Sequence, residues 1–257
     1  MLPRGINTMT AMQIGLIGSG NMARAMARGW GEPVLCTDVV PERAAALAAE
    51  VGGEAVAGNA ALAERADLVV LCHKPAQLAE VAHEIGARVA AVASILGGVP
   101  LADLRAAYGD VPVHRFLPST PVEVREGVVI HALGGADDEA VLERFARLGT
   151  LVSVTESLVD VAMGLMSNAP AYWALVAEAQ IDAGVRRGLS ADQAAALVVQ
   201  TMAGTAALLR ARNFDTLAVR REVTSPGGST ARGIDALERG GVRTAFSDAI
   251  DAVLGGR

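Results

Sequence analysis

Aromatic side chains are scarce. Phe, Trp and Tyr make up 3% of the 257 residues, which excludes the stacked-ring platforms used by single-strand nucleic-acid binders. A basic excess is missing too. The chain has 22 Lys plus Arg against 28 Asp plus Glu, a net charge of -6, and no local basic run, so no duplex-binding surface is expected. Two cysteines, Cys36 and Cys72, cannot build a disulfide framework and read as small core residues. The four histidines show no metal-ligand spacing with them, so no metal site is expected. His83-Glu84 lacks the second histidine of a zincin, and no G-x-S-x-G elbow is present. The most apolar run, residues 89–99, falls far short of the ~20 residues of a membrane span. Residues 1–11 contain no apolar signal region and read as an upstream extension. The expectation is a cytoplasmic protein that engages neither membrane nor nucleic acid.

Apolar residues are plentiful, at 52% with 19% charged, enough for one large or two modest domains with a proper core. Up to residue 155, short β-branched runs recur at 13–18, 33–38, 66–72, 88–94, 111–116, 127–132 and 151–155. Ala-rich stretches of helical spacing lie between most of them. That alternation predicts βαβ units and a mostly parallel, doubly wound sheet. The runs are continuously apolar, as strands buried on both faces require. Pro41 suits a first helical position, Gly52-Gly53 a helix end, and Asn59 an N-cap. From residue 156 the periodicity becomes helical. Ser190 and Gln193 form an S-x-x-Q capping box for a helix to about Arg210, and Asp215 can cap another. Helices are also expected over 230–238 and 242–254. The expected organisation is a dinucleotide-binding domain over 12–155 and an all-α domain over 156–257. Residues 194–209 are apolar on almost every side, which predicts a subunit interface. Tyr172 and Trp173 read as core.

Gly18-Ser19-Gly20-Asn21-Met22-Ala23 follows the first strand and opens a helix. The first glycine permits the tight turn, the second permits backbone approach to a pyrophosphate, and the small Ala23 lets the helix pack on the sheet. Asp38, at the end of the second strand, suits the ribose hydroxyls of a dinucleotide. It disfavours a 2′-phosphate and leans toward NADH, whereas Arg43 is placed to bind that phosphate. Cys72-His73-Lys74-Pro75 ends a strand on the ligand side of such a sheet. Lys74 there is either a ligand contact or a solvated turn residue. Ser119 follows the next-but-one strand, where it either faces the crevice or belongs to a Pro-stiffened loop. In 223–230 (VTSPGGST), Gly227 and Gly228 allow an anion nest before a helix, with hydroxyls from Ser225, Ser229 and Thr230. With no lysine after the glycines, a small carboxylate fits better than a triphosphate. An elaborate helix cap is the alternative.

These motifs, in this order, resemble the pyrroline-5-carboxylate reductases from residue 12 to about 254. The segments are IGSGNMA at 17–23, HKPAQ at 73–77, PAYWALVAEAQIDAGVRRGLS at 170–190, QTMAGTAALL at 200–209 and, most specifically, VTSPGGSTARGIDALE at 223–238. The resemblance implies a Rossmann domain that takes NADPH or NADH, and a helical domain that makes a homodimer or larger homo-oligomer. It implies hydride transfer to the imine carbon of 1-pyrroline-5-carboxylate, giving L-proline. Cofactor contacts fall on Gly18, Gly20, Asn21, Met22, Ala23, Asp38, Asn59, Lys74 and Pro75. Substrate contacts fall on Ser119, Ser225, Gly227, Gly228, Ser229 and Thr230, with Thr230 matching the residue that hydrogen-bonds the imine nitrogen. Two segments depart from the family pattern. Leu117-Pro118-Ser119 stands where methionine-proline-asparagine is usual, and Ser167-Asn168-Ala169 where Gly-Ser-Gly is usual. They leave open a related cyclic imino acid, or a paralogue that binds cofactor without turnover. A β-hydroxyacid dehydrogenase, the nearest rival, needs a lysine on a central helix, and 169–184 and 190–210 offer none.

Overall fold

A computed structural model describes residues 12–255; the extension expected at 1–11 lies outside the described residues. Eight strands form one sheet: β1 (Ile14–Ile17), β2 (Leu35–Thr37), β3 (Glu54–Ala55), β4 (Leu68–Leu71), β5 (Val92–Ser94), β6 (Val113–Pro118), β7 (Gly127–Leu133) and β8 (Gly149–Thr155). Their order is β3-β2-β1-β4-β5-β6-β7-β8. Every neighbouring pair is parallel except β6 with β7. All seven predicted strands are present. Leu16 of β1 pairs with Cys36 on one side and Val70 on the other. The order therefore reverses at β1, between β2 and β4, and this switch point opens a crevice at the carboxyl ends of the strands.

Successive side chains point to opposite faces of a strand, so β1 feeds two cores. Ile14 and Leu16 pack with Leu47, Leu68, Val70 and Phe145 on one face. Ile17 packs with Leu62, Leu71, Ile85 and Leu104 on the other. Helices α1 (Asn21–Trp30), α2 (Pro41–Val51), α3 (Asn59–Ala63), α4 (Leu78–Ile85), α5 (Leu101–Tyr108), α6 (Glu139–Ala146) and α7 (Val159–Met166) cover them. Pro41 is at the start of α2, and Gly52 ends it in the left-handed region at φ 68°.

The chain divides into two compact units at Ser167. Helix α7 packs on β7 and β8, so the first helix after the composition change at 155 goes with the sheet. The second unit holds α8 (Ala169–Val185), α9 (Ala191–Ala211), α10 (Thr216–Glu222), α11 (Ser229–Arg239) and α12 (Val242–Gly255). Its predicted capping box forms: Gln193 N–H donates to Ser190 Oγ at 3.2 Å, and Ser190 N–H donates to Gln193 Oε1 at 3.0 Å. Asp215 caps α10 through the N–H groups of Leu217 and Ala218.

Several expectations need correction. The two-residue β3 was not foreseen. The run 88–94 narrows to Val92–Ser94, because residues 86–88 turn as a 3₁₀ segment. Gly58, not Asn59, is the N-cap of α3. Trp173 is 52% exposed in this chain rather than core. Helix α9 is, by length and composition, apolar enough to cross a bilayer. Gln200 and Thr201 break its apolar runs, yet the mean hydropathy of its most apolar window stays at 1.4, which is why run length alone missed it.

Candidate functional site

The loop between β1 and α1 is shaped by its glycines. Gly18 has φ +101°, and a Cβ there would meet the Cys72 carbonyl carbon and oxygen at 2.7 Å. Only glycine lets this turn lie against the end of β4. At Gly20, by contrast, nothing lies within 4 Å of an added Cβ. Its missing side chain faces open space, where a ligand backbone can approach. Gly20 is also the N-cap of α1 and carries no side-chain cap, so the first N–H groups of the helix stay available to an anion. Ala23 is buried beneath the turn.

Ser19, the residue between the glycines, is buried and joins β1 to β2. Its N–H donates to Asp38 Oδ2 at 2.8 Å, and its Oγ donates to the Thr37 carbonyl at 3.1 Å. The Val40 N–H donates to Asp38 Oδ1 at 2.9 Å. Both oxygens of the Asp38 carboxylate are thus held by backbone.

A cleft of about 850 Å³ opens beside this turn, lined by Gly18, Gly20, Asp38, Asn59 and Lys74 among others. These five predicted residues come together. Asn21, Met22, Ala23 and Pro75 do not line it; the first three form the opening turn of α1, and Pro75 starts a 3₁₀ turn after Lys74. Asn59 has a different local role from the one expected. Its Oδ1 accepts from Thr37 Oγ1 at 2.7 Å, and its Nδ2 donates to Glu84 Oε2 at 2.6 Å. The chain's single lysine, Lys74, is exposed on the wall.

Thr37, His73, Glu80 and Glu84 also line the cleft and were missed. Glu80 and Glu84 sit four residues apart on one face of α4, a spacing that would have marked them. Burial pushes the His73 imidazole below its ordinary value of 6.5, partly opposed by its bond to the Lys74 carbonyl. Burial likewise raises the Cys72 thiol, so neither group is charged at neutral pH.

Ser119 is fully engaged elsewhere. It is 3% exposed; its Oγ accepts from the Val128 N–H at 2.9 Å and donates to the Val128 carbonyl at 3.2 Å. This hydroxyl ties the end of β6 to β7 rather than presenting itself to a ligand.

In the second unit, the 223–230 loop ends at α11. Gly227 is left-handed at φ +70°, and the Gly228 N–H donates to the Ser225 carbonyl at 3.0 Å. Gly228 is the N-cap and α11 has no side-chain cap. No side chain caps this helix start, which leaves its first N–H groups without side-chain partners. Ser225 and Ser229 are exposed and Thr230 is half-buried. Helix α11 brings a cation to the loop that the glycine pattern did not reveal. Arg232 Nη1 donates to the Gly227 carbonyl at 2.8 Å.

Two family models match the chain. "Pyrroline-5-carboxylate reductase dimerisation" covers residues 156–255, and "NADP oxidoreductase coenzyme F420-dependent" covers 13–96. A pyrroline-5-carboxylate reductase of Methanosarcina acetivorans is 32% identical over 94% of this chain and 95% of its own length. The chain belongs to the pyrroline-5-carboxylate reductase family. The fold agrees with solved family structures. That of Plasmodium falciparum pyrroline carboxylate reductase with NADP bound matches at TM-score 0.82 and 25% identity, covering 95% of both chains. The Coxiella burnetii pyrroline-5-carboxylate reductase matches at TM-score 0.84 and 27% identity, covering 95% of this chain and 96% of that one.

Proposed function

We propose that this chain reduces 1-pyrroline-5-carboxylate to L-proline with NADH or NADPH. The observation that carries the reading is the 32% identity across 94% of the chain to a pyrroline-5-carboxylate reductase, joined to a glycine turn whose open side faces a cleft. Residues 12–155 serve the cofactor, and 156–257 serve the substrate and dimerisation. Gly18, Gly20, Asn21, Met22 and Ala23 receive the pyrophosphate at the start of α1. Asp38, Asn59, Lys74 and Pro75 surround the adenosine side. The reduced nicotinamide supplies the hydride when bound.

The remaining work is orientation and charge stabilisation. The backbone of Ser225, Gly227, Gly228 and Ser229 holds the substrate carboxylate at the start of α11, with Arg232 adding positive charge. Thr230 donates to the imine nitrogen as electron density arrives there. Ser119 acts as a positioning residue, fixing residues 117–119 through Val128. The protein works as a homodimer or larger assembly, a reading supported by the "dimerisation" family model over 156–255, and the partner's helical domain completes the site. The free thiols of Cys36 and Cys72 suit the reducing cytoplasm.

The test is proline formation from 1-pyrroline-5-carboxylate with either cofactor, beside equilibrium cofactor binding. Turnover supports the reading. Cofactor binding without turnover on this acid, but with turnover on another cyclic imino acid, moves the substrate. Binding without any turnover makes the chain a non-catalytic paralogue.

A further inference from the structure

We propose that the Asp38 corner of the cleft selects the unphosphorylated ribose, making this chain an NADH-preferring member of a family with NADP-bound relatives. The inference rests on the cofactor reading above and concerns its adenosine end. The Asp38 carboxylate cannot swing aside, because the Ser19 N–H holds Oδ2 at 2.8 Å and the Val40 N–H holds Oδ1 at 2.9 Å. Each oxygen keeps a free lone pair. Ribose 2′- and 3′-hydroxyls can donate to these. A 2′-phosphate carries close to two negative charges at neutral pH, offers no proton in its dianionic form, and meets a fixed like charge.

The neighbouring helix start does not compensate. Pro41, at N1 of α2, has no N–H; the Val40 N–H is taken by Asp38, and the Arg43 N–H returns to the Val40 carbonyl at 2.9 Å. The one remaining first-turn donor belongs to Glu42, which brings its own carboxylate. Glu80 and Glu84 line the same cleft, against Arg43 and Lys74 as the cations. Glu84 is held by Asn59, which is held by Thr37 beside Asp38. Arg43 is the one residue of α2 that can answer a phosphate. It acts from an exposed position, while the opposing carboxylate is fixed at the turn itself.

The experiment titrates the full chain with NADH and NADPH separately, following nicotinamide fluorescence and calorimetry. Asp38→Asn, which keeps the shape and one acceptor but no charge, is measured alongside. NADH is expected to bind at least about tenfold tighter, a ratio equal to roughly 1.4 kcal/mol. Asp38→Asn is expected to shrink that ratio by about tenfold through tighter NADPH binding, the size of one like-charge contact near a protein surface. ADP-ribose and its 2′-phosphate, titrated into the parent protein, test the same corner without any variant and should show the same order. Equal or tighter binding of the phosphorylated forms overturns the inference and leaves the cofactor site intact. So does an unchanged ratio in an Asp38→Asn protein that melts like the parent. Binding of neither dinucleotide overturns the cofactor reading along with it.

Discussion

Gly20 and Thr230 carry opposite kinds of information about the two sites. At Gly20 the helix start is uncapped and an added Cβ meets nothing. A larger side chain there is neutral to the fold and hostile only to a ligand. Gly20→Val should melt at nearly the parental temperature yet lose most of its cofactor affinity in a fluorescence titration; parental affinity would place the dinucleotide elsewhere. Gly18 is the contrasting position, since its Cβ would strike the Cys72 backbone, and substitution there should damage the fold as well. Thr230 lies on α11, one residue past its first, so a hydroxyl there is not needed to cap the helix. Thr230→Val keeps the shape and removes a donor. If the hydroxyl serves the imine nitrogen during hydride transfer, kcat and kcat/KM fall together, by about 10²-fold, the lower end for loss of one preorganised donor. Cofactor affinity stays unchanged. A variant with parental kcat on 1-pyrroline-5-carboxylate would return Thr230 to a purely structural role.

Elements were readable from sequence where their signal was local. Seven strands announced themselves as apolar runs: β1, β2, β4, β5 and β6 because they are buried along their whole length, whereas β8 kept its apolar run without a buried residue in this chain; the Ser190–Gln193 box was readable because capping is a four-residue pattern. What escaped depends on partners distant along the chain. The two-residue β3, Glu54–Ala55, is exposed and exists only by pairing with Leu35 and Cys36. Asn59 looked like a cap, yet its amide bridges Thr37 and Glu84, neither of which is a sequence neighbour. Ser119 looked available, and its engagement with Val128 shows only once β6 and β7 are paired. The site was legible to the same degree: the glycine turn and Asp38 as a local motif, Glu84 only through its four-residue spacing from Glu80, and the contact of Arg232 with Gly227 not at all. The β6–β7 pair also carries a property no motif suggests. His114 and His131 flank Phe116, with ring centroids at 6.0 and 5.2 Å. Burial pushes both imidazoles below their ordinary 6.5, with Asp137 partly opposing at each and Asp138 also opposing at His114. Because the folded values are the lower ones, acidification below about 6.5 protonates the unfolded chain before the native one. Stability is therefore lost as pH falls from that point toward the folded values. Thermal melts should show a drop from pH 7 to pH 5 that is smaller in His114→Leu than in the parent. Identical drops would assign the acid sensitivity to other groups.

At the scale of the whole molecule, the helical unit exposes more apolar surface than a lone chain can leave in water. Leu175, Leu197 and Val199 are 65%, 59% and 58% exposed, and neither α8 nor α11 nor α12 contains a buried residue. Helix α9 has a mean hydropathy of 1.4 over its most apolar window, of which 6% is buried. Such a surface must be covered, by lipid or by protein. Composition alone does not separate the two. Family membership favours protein, because the dimerisation model spans α8 to α12, and α9 carries Ser190, Gln193 and Asp192 at its start as a water-facing helix would. A second copy of this chain is the occupant that the dimerisation model supports. Light scattering without detergent should then give at least twice the 26.3 kDa chain mass, with no protein floating with phosphatidylcholine vesicles. A charge placed in the covered face lacks a partner and is expensive to bury, so Leu197→Asp should shift the protein toward monomer and lower its melting temperature. The same variant should still titrate with cofactor, since the glycine turn, Asp38 and the cleft lie wholly within residues 12–155. It should lose proline formation more severely than cofactor binding if each site is completed by the partner's helices. A Leu197→Asp monomer that turned over at the parental rate would show that one chain contains the whole active site, and a parent that floats with vesicles would put α9 in a bilayer instead.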